Sequence, residues 1–480
     1  MSLKKKTLRN VGFTGVAQLL AICGSQIAML FLARVLTPTD FGIYAIVLVI
    51  YNLAFAISTW GIDQAAIQSH EDEDLVQSTG STIRILGAVS GAAVLIVLAP
   101  FISSFFGQSQ LTFPLQIMTL TLLLSSFTFV SMVRLNRELK FLQISISKIA
   151  YSVVWLVVAL TTAVLHFAYW SLVIAFLSGN IASLLILRYY VPWRIVFRFD
   201  RAIARKLFDF GKYPMATGVV AFLFFNIDKL AIGKILAQDL LGAYFLAFTW
   251  GTMVPNIFTS VVNSVMFPTY VRIAHDYESL KQAYFKTLSY LAYVSVPISL
   301  GLACVADVFV RTVLGPEWIA ASVPLEILSL VGLLSSLTSP AGSVFLAIGR
   351  PNLSWRQTAF SFVPYAVLLI PVTTYWGLSG VSLLMLAVGT FSSLWALKMA
   401  VSVLGESMSF IAKAVWVPFA AAILMSSVLL LLRTQIQTSL AGLVVLVLTG
   451  IAVYLVGIYA LTKGAVYSEF KSMIKTALFR

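Results

Sequence analysis

Residues 34–44 read RVLTPTDFGIY, and 200 positions later residues 234–244 read KILAQDLLGAY, aligned without a gap. Leu36/Leu236, Gly42/Gly242 and Tyr44/Tyr244 are identical, and Arg34/Lys234, Val35/Ile235 and Phe41/Leu241 keep their chemistry. Gln26/Asn226 and Asp63/Asn263 fall on the same offset. Six long apolar segments separate the two copies, and an even number of crossings returns the chain to the membrane in the same direction. The duplication is therefore a parallel one, about an axis along the membrane normal, an arrangement that transporters use.

The rest of the chain agrees with this reading. Sixty per cent of its 480 residues are hydrophobic and 10% are charged, and its mean hydropathy is +0.96, so most of the apolar surface must face lipid. An all-α polytopic membrane protein is expected, with about 14 transmembrane helices of roughly 20 residues each. Six precede the midpoint, near 11–36, 42–66, 83–106, 112–133, 145–165 and 170–190. Six follow, near 213–236, 242–268, 287–314, 323–348, 357–374 and 380–397, and two more lie near 415–432 and 440–461. The expected domains are a six-helix lobe at 1–193, a linker at 194–212, a second six-helix lobe at 213–398, and two C-terminal helices with a tail at 399–480.

Charge orients the stack, because short cytoplasmic loops retain Lys and Arg. With both termini cytoplasmic, only Arg34, Lys229, Lys234, Arg311 and Arg433 of the 32 basic residues fall in the membrane or outside. Lys4, Lys5, Lys6, Arg9, Arg84, Lys148 and the tail's Lys471, Lys475 and Arg480 all count as cytoplasmic. The net charge of +14 is thus a topology signal and gives no support to nucleic-acid binding. The first span runs too long for a removable signal peptide and lacks a small-residue cleavage site.

Enzymatic and metal chemistry find no foothold. Cys23 and Cys304 lie in apolar spans without metal or redox spacing, and His70, His166 and His275 have no nucleophile or carboxylate nearby in sequence. The expected outside loops are very short, and no GxxxxGK[ST] segment appears. Neither a catalytic loop nor a nucleotide-binding domain has room, so energy must come from an ion gradient or the substrate's own gradient.

Two cytoplasmic pieces carry pattern, a stretch at 194–210 and, more weakly, YSEFKSMIKTALFR at 467–480. In RIVFRFDRAIARKLFDF, Ile195, Phe199, Ile203, Leu207 and Phe210 recur every three or four residues, with Arg194, Arg198, Arg201 and Arg205 on another face. That predicts an interfacial helix against membrane lipids. The acidic run Glu71 to Asp74 reads as a solvated loop.

The functional candidates are polar groups inside apolar spans, where a central charge costs about 2.5–3.5 kcal/mol on insertion scales. In the seventh span, Asn226, Asp228 and Lys229 interrupt an apolar run, and Asp228 lies about 9 Å inward of Lys234 at 1.5 Å per residue. Adjacent helical residues point about 100° apart, so Asp228 and Lys229 are expected to have separate partners, or Lys229 to snorkel. Gln26, Asn52, Asn226, Asp228 and Asp307 are cavity or coupling candidates, each weighed against a plain interhelix hydrogen bond. Arg34, Lys229, Lys234 and Arg311 are candidates for an anionic headgroup, weighed against interface anchoring. Asp307 and Arg311 are spaced to pair with each other. Pro255, Pro297 and Pro364 are candidate kinks.

FLARVLTPTDFGIYAI (31–46), RELKF (137–141), FFNIDKLAIGKILAQDLLGAYFLAF (224–248) and VLGPEWIAASVPLEILSL (313–330) resemble the Wzx-type polysaccharide flippases over nearly the whole chain. The colanic acid exporter branch is the most similar. That family belongs to the multidrug/oligosaccharidyl-lipid/polysaccharide superfamily, with the multidrug-and-toxin antiporters and the lipid II flippase. The resemblance implies movement of an undecaprenyl-diphosphate-linked oligosaccharide across a bacterial cytoplasmic membrane by two rocking bundles, without a cofactor and with H⁺ or Na⁺ as the coupling ion. Polysaccharide polymerase and export machinery are the implied protein partners. A cation-coupled exporter of amphipathic drugs and a non-transporting scaffold remain as other readings.

Overall fold

The computed structural model describes Gly24 and residues 26–69, 71–138, 140–192 and 198–464. Lys4, Lys5, Lys6, Arg9, Cys23, His70, Arg194, Ile195, Lys471, Lys475 and Arg480 lie outside these residues, as does most of the first expected span.

The duplicated segment is built around a helix start. Thr37 Oγ1 accepts from Asp40 N at 3.3 Å, and the Asp40 carboxylate accepts from Thr37 N at 2.9 Å. This reciprocal cap, with Pro38 as the first helical residue, separates helix α1 (Gln26–Val35) from α2 (Pro38–Ser58). The second carboxylate oxygen of Asp40 accepts from Tyr169 N at 3.0 Å, so one side chain ties the start of α2 to the start of α7 (Trp170–Tyr190). In the second copy, α8 (Arg201–Ile235) gives way to α9 (Gln238–Arg272) at the equivalent place.

The two copies meet backbone to backbone. A Cβ on Gly42 would lie 2.0 Å from the Gln238 carbonyl oxygen, and one on Gly242 would lie 1.8 Å from that of Pro38. Pro38 and Gln238 are themselves equivalent positions, so the contact, within the first unit, is reciprocal. Close backbone approach through glycine is a recurrent way for membrane helices to associate.

Two compact units follow, Met1–Gly242 and Ala243–Arg480. The division falls at the start of α9 and not in the expected 194–212 linker, because α8 packs against α2 and α4 of the first unit. In that unit, α4 (Glu73–Phe106) lies on α5 (Thr112–Arg137), α6 (Phe141–Val164) on α7, and α5 on α7. Short α3 (Ile62–Gln68) is held by Arg137, whose guanidinium donates to the Ala66 and Ser69 carbonyls at 2.6 and 2.7 Å. The RELKF segment is thus structural. Its Glu138 pairs with Lys140 and Arg134, which hold the carboxyl below its ordinary range.

The expected interfacial helix is corrected in residues 201–212. Asp200 caps α8 by accepting from Ala202 and Ile203, and the helix continues through Pro214 into the span. Ile203 and Leu207 bury against Ile62, Val76, Phe129 and Val133 of the first unit, not against lipid. The acidic run is also engaged: Glu71 pairs with Lys206 at 2.5 Å, and Asp72 caps α4.

In the second unit, α10 (Tyr277–Phe309) packs on α11 (Ser322–Ala347) and on α13 (Met408–Arg433). Their core joins Tyr284, Leu288 and Val296 to Met425, Leu429 and, from α14 (Leu440–Thr462), Leu446. Arg433 donates to the Cys304 carbonyl at 3.1 Å and Tyr454 to that of Tyr293 at 2.9 Å. The last two helices are part of this unit's core. Helix α12 (Asn352–Val403) has 52 residues, far beyond one crossing, and breaks at Gly377 with φ 56° and ψ −147°. A Cβ on Gly380 would be 3.2 Å from the Val372 carbonyl oxygen, so the chain doubles back there and supplies two expected spans. Among the described residues 11 helices are long and apolar enough to cross a membrane, or 12 with α9, which bends by 43° before Pro255.

Replacing Gly42 or Gly242 by Ala should cost about 3 kcal/mol by forcing backbones apart, whereas Gly389→Ala, with open space around it, should be neutral or stabilising. Melting temperatures of the three purified variants in detergent check this.

Candidate functional site

Helices α2, α5, α6 and α7 of the first unit line a half-open cavity of ≈ 520 Å³ whose lining includes Asn52, Ser125, Lys148, Tyr151, Asn180 and Ser183. Each of the four helices contributes polar side chains here. On α6, Ser147, Lys148, Tyr151 and Ser152 recur at three- and four-residue spacing. Several of these groups meet their own helix: Ser125 donates to Leu122 O at 2.6 Å, Thr128 to Ser125 O at 2.8 Å, and Asn180 Nδ2 to Phe176 O at 2.8 Å. Their oxygens remain able to accept. Aromatic rings complete the wall, with Tyr51 edge-on to Phe176 at 5.3 Å and Tyr151 to Phe176 at 6.3 Å.

Lys148 is the one charged side chain in that lining. Counted as cytoplasmic from sequence, it stands about 10 Å along α6 from Phe141 at 1.5 Å per residue and is exposed. Arg84 was also placed near the surface, yet it is about 16 Å along α4 from Glu73 and 2% exposed. Its Nε lies 3.0 Å from Asp63 Oδ1, off the N–H axis, so the contact is coulombic more than an aligned hydrogen bond; neither atom has a hydrogen-bond partner. Arg84 Nη2 reaches Ser125 Oγ at 3.5 Å, and its guanidinium sits 5.8 Å from the Phe55 ring centre, behind the cavity wall. Position 263, the repeat equivalent of Asp63, ties its own unit together: Asn263 donates to Ser339 and accepts from Ser343.

Of the residues singled out from sequence, Asn52 lines the cavity. Asp228 and Lys229 are both buried, and the expectation of side chains facing apart is corrected: Lys229 Nζ lies 3.7 Å from Asp228 Oδ1. The lysine stem curls back one turn to donate to Phe225 O at 2.8 Å, which brings its ammonium beside the carboxylate. Asn226 donates to Phe222 O at 2.9 Å, and the buried Oε1 of Gln26 has no hydrogen-bond partner among the described residues. Lys234 donates to Phe105 O and lies 4.5 Å over the Phe105 ring, an anchor between α8 and the end of α4. Arg34 is exposed at the end of α1. In the second unit, Asp307 and Arg311 pair with each other at 3.0 Å. Among the described residues, no group of three or more His, Cys, Asp or Glu is placed to hold a metal ion.

A family described as "Polysaccharide biosynthesis protein" matches residues 31–323. The chain belongs to that family. It is 26% identical to the lipopolysaccharide biosynthesis protein WzxC of Escherichia coli over 87% of this chain and 86% of that protein. It is also 26% identical to the succinoglycan biosynthesis transport protein ExoT of Rhizobium meliloti, over 71% and 68%. Among solved structures, the lipid II flippase MurJ in an inward closed conformation superposes with a TM-score of 0.71 at 16% identity, covering 95% of this chain and 99% of that one. A multidrug resistance MATE transporter gives 0.62 at 14% identity, over 80% and 95%. These solved structures share the helical fold of this chain.

Lys148 and Asn180 escaped the sequence reading, although the α6 stripe of Ser147, Lys148, Tyr151 and Ser152 was a usable signal. Because Arg84 is buried and the Asp63 side chain is 40% exposed, the pair should fail asymmetrically. Asp63→Asn, which strands a buried guanidinium, should lose about 2 kcal/mol, more than Arg84→Met, and the double variant should recover most of the loss. Thermal melts of the three proteins read this out.

Proposed function

We propose that this chain is a flippase that carries undecaprenyl-diphosphate-linked oligosaccharide repeat units across the bacterial cytoplasmic membrane for exopolysaccharide, capsule or O-antigen synthesis. The family match carries the reading, and the polar cavity inside an apolar helical unit supports it, because a saccharide crossing hydrocarbon needs hydrogen-bonding groups to replace water. The polyprenyl tail stays in lipid, which asks nothing of the protein but an apolar flank. Arg34 and Lys234, at equivalent helix ends of the two repeats, are the proposed contacts for the diphosphate, with Lys229 and Arg311 as further cationic candidates. The excess of Lys and Arg on one set of loops supports cytoplasmic termini. Polymerase and export machinery would take the product on the outer side.

The buried Asp228–Lys229 pair is the proposed coupling element. A carboxylate whose counter-ion is an adjacent lysine can exchange that partner for H⁺ or Na⁺ within one site, with Gln26, Asn226 and, in the second unit, Asp307 as further coupling candidates. Asp228→Asn should abolish the dependence of transport on the ion gradient in proteoliposomes while the protein still folds; unchanged gradient dependence would remove the coupling role.

Leaflet accessibility of the lipid-linked saccharide in gene-deleted cells tests the function itself. Lectin binding to inside-out and right-side-out vesicles should show accumulation on the inner leaflet, reversed by the wild-type chain. An unchanged distribution, with new drug sensitivity, would favour a drug exporter.

A further inference from the structure

Helix α12 doubles back at Gly377, and two open hollows lie between its halves. One, of ≈ 550 Å³, is lined by Phe360 and Pro364 of the first half and by Phe391, Leu394, Trp395 and Lys398 of the second. The other, of ≈ 530 Å³, lies nearer the bend, between Leu368, Pro371 and Tyr375 on one side and Leu383 and Ala387 on the other. Residues 360, 364, 368, 371 and 375 recur at three- and four-residue spacing, as do 380, 383, 387, 391, 394 and 398. Each set is one stripe of its helix, so the two hollows are stretches of a single groove. Gln357 sets the register of the antiparallel halves by donating to Ser392 Oγ at 3.0 Å. From Phe360 to Tyr375 the groove runs about 22 Å at 1.5 Å per residue, most of a hydrocarbon core of about 30 Å. Phe360, Leu383, Phe391 and Leu394 are each more than half exposed along it, as befits a surface that meets lipid tails.

The two ends of the groove differ in chemistry. Beside the bend stand Tyr375 and Trp376, exposed aromatics of the kind that sit at a membrane interface, and no charged side chain of the described residues lines that hollow. At the other end Lys398 is exposed, and so is Arg356, one helical turn before Phe360 on the same stripe. The nearby carboxylates of Glu278 and Glu406 are taken by Lys281 at 2.7 and 3.1 Å, and among the described residues none pairs with Lys398 or Arg356. Next to Lys398 the wall is built of rings: Trp395 packs on Phe360 at 5.2 Å and on Phe391 at 6.0 Å. An acyl chain lying on those rings brings its phosphate to the end where the Lys398 stem can carry its ammonium to the interface. A zwitterionic headgroup would add its own cation there, whereas a headgroup of net negative charge leaves its phosphate free for the lysine.

We infer that the Lys398 end of this groove is a binding site for an anionic phospholipid of the cytoplasmic leaflet, with an acyl chain on the Phe360–Phe391–Trp395 wall, the phosphate against Lys398, and Arg356 as a second cation. The end at Tyr375 and Trp376 does not select among lipid charges. Both halves of α12 contribute to the site, so the bound lipid ties together the two spans on either side of the Gly377 break. The site shares with the flippase reading only its topology, with cytoplasmic termini, and does not depend on what the chain carries.

The test reconstitutes the full chain in vesicles of phosphatidylglycerol and phosphatidylcholine in which one lipid or the other carries brominated acyl chains. Quenching of Trp395 fluorescence, taken as the difference between wild type and Trp395→Phe, is the readout. At equal mole fractions phosphatidylglycerol should associate about fivefold more strongly than phosphatidylcholine, the scale of one cation at an anionic surface. Lys398→Met should remove most of that preference, Lys398→Arg should keep it, and Lys286→Met, an exposed lysine on α10, should leave it unchanged. Equal quenching by the two lipids in the wild-type chain, or a preference that survives Lys398→Met, would overturn the inference. So would displacement of phosphatidylglycerol by a much lower mole fraction of undecaprenyl diphosphate, which would put the groove on the path of the carried lipid. The vesicle accessibility assay is read separately: normal flipping without a lipid preference removes this inference alone, whereas absent flipping with the preference intact removes the flippase reading alone.

Discussion

Two helix starts cross so closely at Gly42 and Gly242 that neither position has room for a Cβ, each glycine resting on the carbonyl that begins the other helix. Much of the first unit depends on this contact. It can form because Thr37 and Asp40 end one helix and start the next at a fixed point, and because Asp40 also holds the start of α7. Lys234 then docks on the end of α4, which places α8 beside the helices that wall the cavity. A repeated segment of eleven residues thereby sets helix ends, crossing point and neighbours together.

The membrane supplies the second constraint. With no water in the hydrocarbon, polar groups within spans must find partners in the protein, and most hydroxyls here bond the carbonyl three or four residues back, as Thr121, Ser126 and Thr373 do. Against that background, besides the Arg84–Asp63 pair, some further groups stand out. Asp228 and Lys229 bury opposite charges on one helix, and the α2–α5–α6–α7 cavity gathers neutral polar groups around one lysine.

The duplication was legible from eleven aligned residues because helix caps and close crossings need particular residue types. Asp228 and Lys229 were legible as intramembrane charges, but their mutual pairing was not, since it depends on a lysine stem folding back along its own helix. Arg84 was hidden by the loop-charge rule, which does not separate a cation at the surface from one three turns inside. The course of α8 was also misread: the apolar stripe of Ile203 and Leu207 fits lipid and a protein groove equally well, and only the tertiary packing against Ile62 and Phe129 decides. The place of α13 and α14 in the second unit's core was equally a matter of distant partners, such as Tyr454 with Tyr293.

The central claim is that the saccharide passes through the polar cavity of the first unit. Purified chain in proteoliposomes, given a fluorescent polyprenyl-diphosphate oligosaccharide, measures this directly when the cavity is filled by Asn180→Trp. The account predicts that wild-type protein equilibrates the label between leaflets and that the filled variant, melting like wild type, does not. Equal flipping by a well-folded Asn180→Trp protein would contradict it.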